Sequence, residues 1–225
     1  MRLLVSLFAL LALTAAAPQR MAGRDWTAVA TRTPSGAFLI GNPAARVKLV
    51  EYASLTCPHC AAFQAESAPV LKERWIRSGQ VSLEFRHFVF NALDLGAVVL
   101  ARCGGPAHFA ATTTFIYQTQ PTWLTRGQQF GQANGQRIAT YPPLAQLRAL
   151  VDGAGLTEAV VARGLSPAAV DACFADQAEV DRITAMTANL PAGVDSTPTF
   201  LVNGRLVAHV AWAQLEPQLR AAGAR

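Results

Sequence analysis

The chain has 225 residues, of which 52% are hydrophobic and 15% charged, with a formal net charge of +5. Such a composition excludes a disordered chain and suits one large domain, or one domain carrying an insertion. The basic residues are scattered along the sequence, which argues against a nucleic-acid partner.

Met1 and Arg2 precede an apolar run, Leu3–Leu13, and Ala15-Ala16-Ala17 then offers a small-residue cleavage site. A run of about eleven residues is far short of the ~20 needed to span a bilayer, so residues 1–17 read as a secretory signal peptide. Export to the periplasm is therefore expected, a compartment in which disulfides persist. Residues 18–44 form a polar, turn-rich extension. Short strands are expected at Trp26–Ala30 and Ala37–Ile40, flanking Arg32-Thr33-Pro34-Ser35-Gly36 and adding to the edge of a sheet, with a loose tail as the alternative.

Val47–Tyr52 reads as the first core strand, and it carries Glu51, whose charge would be costly inside a packed sheet. The apolar run stops at Cys57-Pro58-His59-Cys60, after which Ala61, Ala62, Phe63, Ala65, Val70 and Leu71 fall at helical spacing. A helix is expected over Cys57–Arg77, kinked at Pro69 and ended by Gly79. The cysteine pair thus lies at a strand-to-helix junction. Two thiols three apart can close a small disulfide ring, and the first faces unsatisfied helix N–H groups that favour a thiolate. That is redox chemistry requiring no cofactor, and the pattern gives no second ligand pair for a metal.

Val81–Phe90 alternates as a strand, parallel or antiparallel. Between residues 91 and 190 the breakers separate helix-length segments: Leu93–Cys103, Pro106–Gln118, Trp123–Asn134, Leu144–Gly153, Thr157–Arg163 and Pro167–Leu190. Strand character returns at Thr199–Val202 and Leu206–Val210. These flank Asn203-Gly204, a strong signal for a hairpin turn with positive φ at both positions. A last helix is expected over Trp212–Ala222, with Pro217 inside it. His87, His108 and His209 form no constellation and are expected to be structural.

The strand, the Cys57-Pro58-His59-Cys60 tetrapeptide, the helix after it and the later Thr197-Pro198-Thr199-Phe200 segment together resemble the DsbA-like thiol:disulfide oxidoreductases of the thioredoxin superfamily. The resemblance implies an α/β fold, the thioredoxin fold, formed by residues 45–90 and 191–225, with residues 91–190 inserted as a helical domain. It implies Cys57 as nucleophile, Cys60 as the resolving thiol, and Pro58 and His59 as tuners of the pair. Glu51 would be a buried acid moving a proton to or from Cys60. Thr197 and a cis Pro198 would form the backbone edge on which an extended substrate peptide pairs.

With Cys57 and Cys60 so employed, Cys103 and Cys173 are expected to form a structural disulfide between two inserted helices. The implied function is donation of the Cys57–Cys60 disulfide to reduced or partly folded exported proteins, with Cys57 an exposed, ionised thiol whose anion the His59 ring helps to hold. A DsbB-like membrane protein would reoxidise the pair, and a monomer is expected. Thr197 is commoner before this proline in isomerases and reductases, which keeps those as the alternative. A chaperone-like binding protein is a further one.

Overall fold

The computed structural model describes residues 24–208 and 210–225. The signal peptide expected over residues 1–17, and His209, lie outside the described residues.

The centre is a six-stranded sheet in the order β1-β2-β4-β3-β5-β6. Its strands are β1 (Ala30–Arg32), β2 (Phe38–Gly41), β3 (Val47–Ala53), β4 (Val81–His87), β5 (Thr199–Val202) and β6 (Arg205–Val207). The strand β3 pairs parallel with β4 and antiparallel with β5, so it lies inside the sheet with both edges bonded. Between β3 and β4 run α1 (Pro58–Ser67) and a wide turn over Leu71–Ile76. Between β4 and β5 stand seven helices: α2 (Ala92–Cys103), α3 (Pro106–Gln118), α4 (Gln120–Ile138), α5 (Pro143–Gly153), α6 (Leu156–Val161), α7 (Pro167–Cys173) and α8 (Gln177–Ala188). The helix α9 (Trp212–Ala221) follows β6. This is the α/β thioredoxin fold with a large helical insertion.

Two apolar clusters hold it together. In one, Phe63, Trp75, Trp212, Leu215 and Leu219 pack on Val47, Leu49, Leu83 and Phe200 of the sheet. In the other, Leu55, Cys57, Cys60 and Phe85 meet Phe109, Ile116, Trp123 and Ile183 of the inserted helices. The loop that carries Cys57 therefore belongs to the core that the insertion helps to build. Among the described residues no helix is long and apolar enough to cross a membrane.

Several boundaries differ from the sequence expectation, each for a local reason. Trp26–Ala28 is a tight 3-10 turn, because the Asp25 carboxylate accepts from Thr27 N (2.9 Å); the strand comes after it. The helix expected over Cys57–Arg77 is two pieces. Pro69 has no N–H to give, and beyond it the bonds widen, with Trp75 N reaching Val70 O (3.0 Å) and Arg77 N reaching Lys72 O (3.1 Å). Gly79 closes the segment at φ +78, where a side chain would strike the Trp26 ring. The ladder of β4 with β3 runs on through Phe88 N, which donates to Ala53 O (2.9 Å), and the chain then leaves the sheet: Val89 N donates to Thr187 Oγ1 (2.8 Å) and Phe90 N to Asp94 Oδ2 (3.0 Å). Pro167–Leu190 is broken into α7 and α8 by Asp176, whose carboxylate caps the N–H of Glu179 (3.0 Å). Pro121, in the first turn of α4, costs no hydrogen bond there, so that helix is longer than expected.

The extension is a hairpin, not a loose tail: β2 pairs antiparallel with β4 and β1 with β2. The buried Arg102 of α2 ties it down, donating to Gly36 O (2.7 Å) and to Glu179 of α8 (2.6 Å). Cys103 and Cys173 are joined by a disulfide of 2.01 Å linking the ends of α2 and α7. His87 is fully buried and His108 lies exposed on the surface.

Candidate active site

The strand β3 delivers the chain into the loop 54–57, and Cys57 takes the N-cap position of α1 in extended conformation (φ −81, ψ 118) with Pro58 beginning the helix. Proline suits that place, since the first helical N–H has no intrahelical partner. Cys57 and Cys60 are free thiols. On the other side of Cys57 stands the loop before β5, where the Thr197–Pro198 peptide bond is cis. Cys57 Sγ lies 3.4 Å from the Thr197 carbonyl oxygen, which accepts from it when the thiol is protonated.

The two sulfurs are driven apart electrostatically. The Cys57 thiol is lowered from its ordinary value near 9 to about 5, chiefly because the Cys60 thiol donates to its anion. The Thr197 side chain and the backbone N–H groups of Cys60 and His59 add to this, against a desolvation cost. Cys60 is 0% exposed and is pushed far up by burial, by its hydrogen bond to Cys57 and by the charges of Glu51 and Cys57. One thiol is thus an anion at neutral pH and the other holds its proton.

Glu51 lies in the middle of the sheet, opposite Phe85 on one side and Phe200 on the other, and is 0% exposed. A solvated, edge-facing carboxylate is excluded. Burial pushes its carboxyl up to about 8, opposed by a hydrogen bond from Gln64 Nε2 to Oε2 (3.2 Å); the other oxygen has no partner among the described residues. At neutral pH it is a protonated acid beside two thiols of opposite character.

The sequence reading missed the residues that hold this loop. Asp94, buried at the start of α2, accepts from Ser54 Oγ (2.7 Å), Leu55 N (3.0 Å) and Phe90 N (3.0 Å). Tyr117 of α3 donates its hydroxyl to Ser54 O (3.1 Å). Gln120 of α4 donates to both Leu55 O (2.8 Å) and Cys57 O (3.0 Å). Three inserted helices therefore fix the backbone that carries Cys57. The one local signal was Asn91-x-x-Asp94, a helix cap in which Asn91 Oδ1 accepts from Asp94 N.

Two grooves flank the pair. One, of about 450 Å³, runs from Thr56, Cys57 and Pro58 past Phe90 and Leu93 to Leu124. Phe90 is 50% exposed there, a large apolar side chain open to a partner. The other, of about 530 Å³, is walled by His59, Phe63, Glu66, Thr197, Pro198 and Gln214.

One expectation needs correction. Cys57 is 5% exposed and lines the first of these grooves, where an open surface thiol was expected. His59 is exposed at the rim of the second, and its backbone N–H adds to the lowering of the Cys57 pKa after Cys60 and Thr197.

Residues 33–221 match the family model described as thioredoxin. A protein-disulfide isomerase from Novosphingobium aromaticivorans is similar in structure, with a TM-score of 0.74 and 32% identity, over 81% of this chain and 95% of that one. The structure of alpha-DsbA1 from Wolbachia pipientis shares the fold, with a TM-score of 0.67 and 21% identity over 84% and 92% of the two chains. A Rickettsia felis protein, provisionally named a protein-disulfide oxidoreductase, is 29% identical over 74% of this chain and 53% of its own length. The chain spans about half the length of that relative.

Proposed function

We propose that this chain, which belongs to the thioredoxin family, is an exported thiol:disulfide oxidoreductase that donates a Cys57–Cys60 disulfide to cysteine pairs of other proteins. The observation that carries the reading is the split between the two thiols, Cys57 lowered to about 5 and Cys60 raised. At neutral pH about two units of that lowering stabilise the reduced form, which amounts to roughly 3 kcal/mol. Stabilising the reduced form by that much makes the disulfide more oxidising, by on the order of 60 mV.

A substrate thiolate attacks Cys57 Sγ of the disulfide, the S–S bond breaks, and Cys60 leaves as a thiolate. Glu51, a neutral acid at pH 7, gives its proton to Cys60. The second substrate thiolate then attacks the substrate sulfur of the mixed disulfide, forming the substrate disulfide and releasing Cys57 as its stabilised thiolate. Two electrons pass from substrate to protein, and a quinone-coupled, DsbB-like membrane protein would take them on. Exported polypeptides, in reduced or partly folded form, are the substrate class, pairing with the Thr197–Pro198 edge while their side chains fill the two grooves. The protein acts in the periplasm as a monomer.

A second reading, disulfide isomerase, has in its favour Thr197 before Pro198 and the name of the Novosphingobium relative. Oxidation of a reduced dithiol peptide, run beside refolding of a scrambled multi-disulfide protein, separates the two. Rapid oxidation with weak unscrambling supports the oxidase; the reverse, with an oligomer by light scattering, overturns it.

A further inference from the structure

On α1, His59, Ala62, Phe63 and Glu66 fall at helical spacing, share one face and line the groove beside the loop before β5, opposite Pro198 and Gln214. Among the described residues Glu66 is the only acid in that lining, and no lysine or arginine shares it. Its carboxylate is exposed and has no hydrogen bond or ion pair among the described residues. One turn away on either side, Ala62 and Val70 carry no charge. Glu66 also stands in the last turn of α1, where the helix dipole disfavours an acid. The fold therefore gains nothing from this charge. In the groove beside Phe90, Cys57 is the only ionisable residue of the lining among the described residues. The chain as a whole has a formal net charge of +5, so Glu66 is a local exception to a field that repels cations. His59 marks the Cys57 end of the groove and Glu66 lies about 10 Å further along the helix. Three residues of an extended chain cover that distance at about 3.3 Å each.

We propose that Glu66 is a specificity-determining residue, selecting polypeptides that carry a lysine or arginine about three residues from the cysteine that bonds to Cys57. The aliphatic stem of that side chain lies along Ala62 and its cation meets the Glu66 carboxylate, while an acidic residue at the same place is repelled. The selection rests on the proposed oxidoreductase reading, in which an extended substrate lies against the Thr197–Pro198 edge.

The test uses reduced dithiol peptides that differ only in lysine, glutamine or glutamate about three residues from the reactive cysteine, on one side of it or the other. The oxidised full chain reacts with each in single turnover, and second-order rates are compared as ratios within one variant, so that a difference in folded fraction cancels. In the wild type the lysine peptide should react up to about fivefold faster than the glutamine peptide and the glutamate peptide slowest, on one side of the cysteine only. Added salt should shrink the spread. Glu66→Gln should bring the three rates together, and Glu66→Lys should put the glutamate peptide first. A wild type that oxidises all three alike, or a lysine preference that survives Glu66→Gln, overturns the assignment. A wild type inert toward every peptide overturns the redox reading instead. Fluorescence anisotropy with the same peptides, serine replacing cysteine, then decides the groove: a lysine preference that inverts in Glu66→Lys leaves the assignment standing, and equal binding overturns it.

Discussion

Gln120 donates its amide to the carbonyl of Cys57 at 3.0 Å, across 63 positions of sequence, and the same nitrogen holds Leu55 O at 2.8 Å. The inserted helices thereby grip the backbone of Cys57 itself. Gln120→Leu leaves the Leu55 carbonyl buried without this donor, which costs about 1–3 kcal/mol. Thermal or urea unfolding should show that loss, and the oxidation rate should fall because the Cys57 N-cap geometry loosens. Unchanged stability and rate would mean that the α4 contact positions nothing.

In the reduced protein, thiolate absorbance should rise with a midpoint near pH 5 that belongs to Cys57. Cys57→Ser should abolish that step, and Cys60 should contribute none below pH 9, since burial keeps it protonated. A single midpoint near pH 8 would sink the mechanism.

Cys60→Ser removes the buried resolving thiol while leaving Cys57 at its N-cap. Mixed disulfides through Cys57 should then accumulate with exported proteins and persist on non-reducing gels. Their failure to form would place the nucleophile elsewhere.

Glu51 and His87 give opposite pH slopes. The Glu51 carboxyl is raised from 4.5 to about 8 in the fold, so the folded state keeps a proton that the unfolded chain has lost. Its stability contribution is full below pH 4.5 and is lost as pH rises to about 8, a difference of as much as about 5 kcal/mol. His87, fully buried and without a partner at either nitrogen among the described residues, is held well below 6.5 by burial and by the Arg102 charge. It therefore destabilises the fold as pH falls below 6.5. Glu51→Gln should flatten the alkaline limb of stability against pH, and His87→Leu the acid limb. A limb that survives its own substitution refutes that assignment.

The disulfide between Cys103 and Cys173 closes a loop with a sequence separation of 70. The chain-entropy relation gives about 4 kcal/mol for such a loop. The paired Cys103→Ser, Cys173→Ser variant should lose stability of that order while the Cys57 midpoint stays put. A shifted midpoint would show that the bridge also shapes the redox site.

The fold class and the strand-to-helix junction that carries Cys57 and Cys60 were legible in the sequence because their signals are local. A β-branched run ending at Cys57-Pro58-His59-Cys60, helical spacing after it and Asn203-Gly204 each report a conformation their own residues impose, as the positive φ of Asn203 (49) and Gly204 (83) illustrates. Segment ends were less legible, since past Phe88 the chain leaves β4 with Thr187 and Asp94, distant or later in the chain, taking the N–H groups of Val89 and Phe90. The parallel pairing of β3 with β4 was open for the same reason: alternation is identical in both orientations, and only the helical crossover decides. What tertiary structure alone decided is the chemistry of position. Asp94, Tyr117 and Gln120 read as ordinary helix residues until packing sets them on one loop, and the raised Glu51 value follows from its burial in the sheet, whereas the lowering of Cys57 comes chiefly from its near neighbour Cys60, with Thr197 added by the fold. Electrostatic environment is a property of three-dimensional neighbours, and sequence spacing carries it only where those neighbours are also adjacent in the chain.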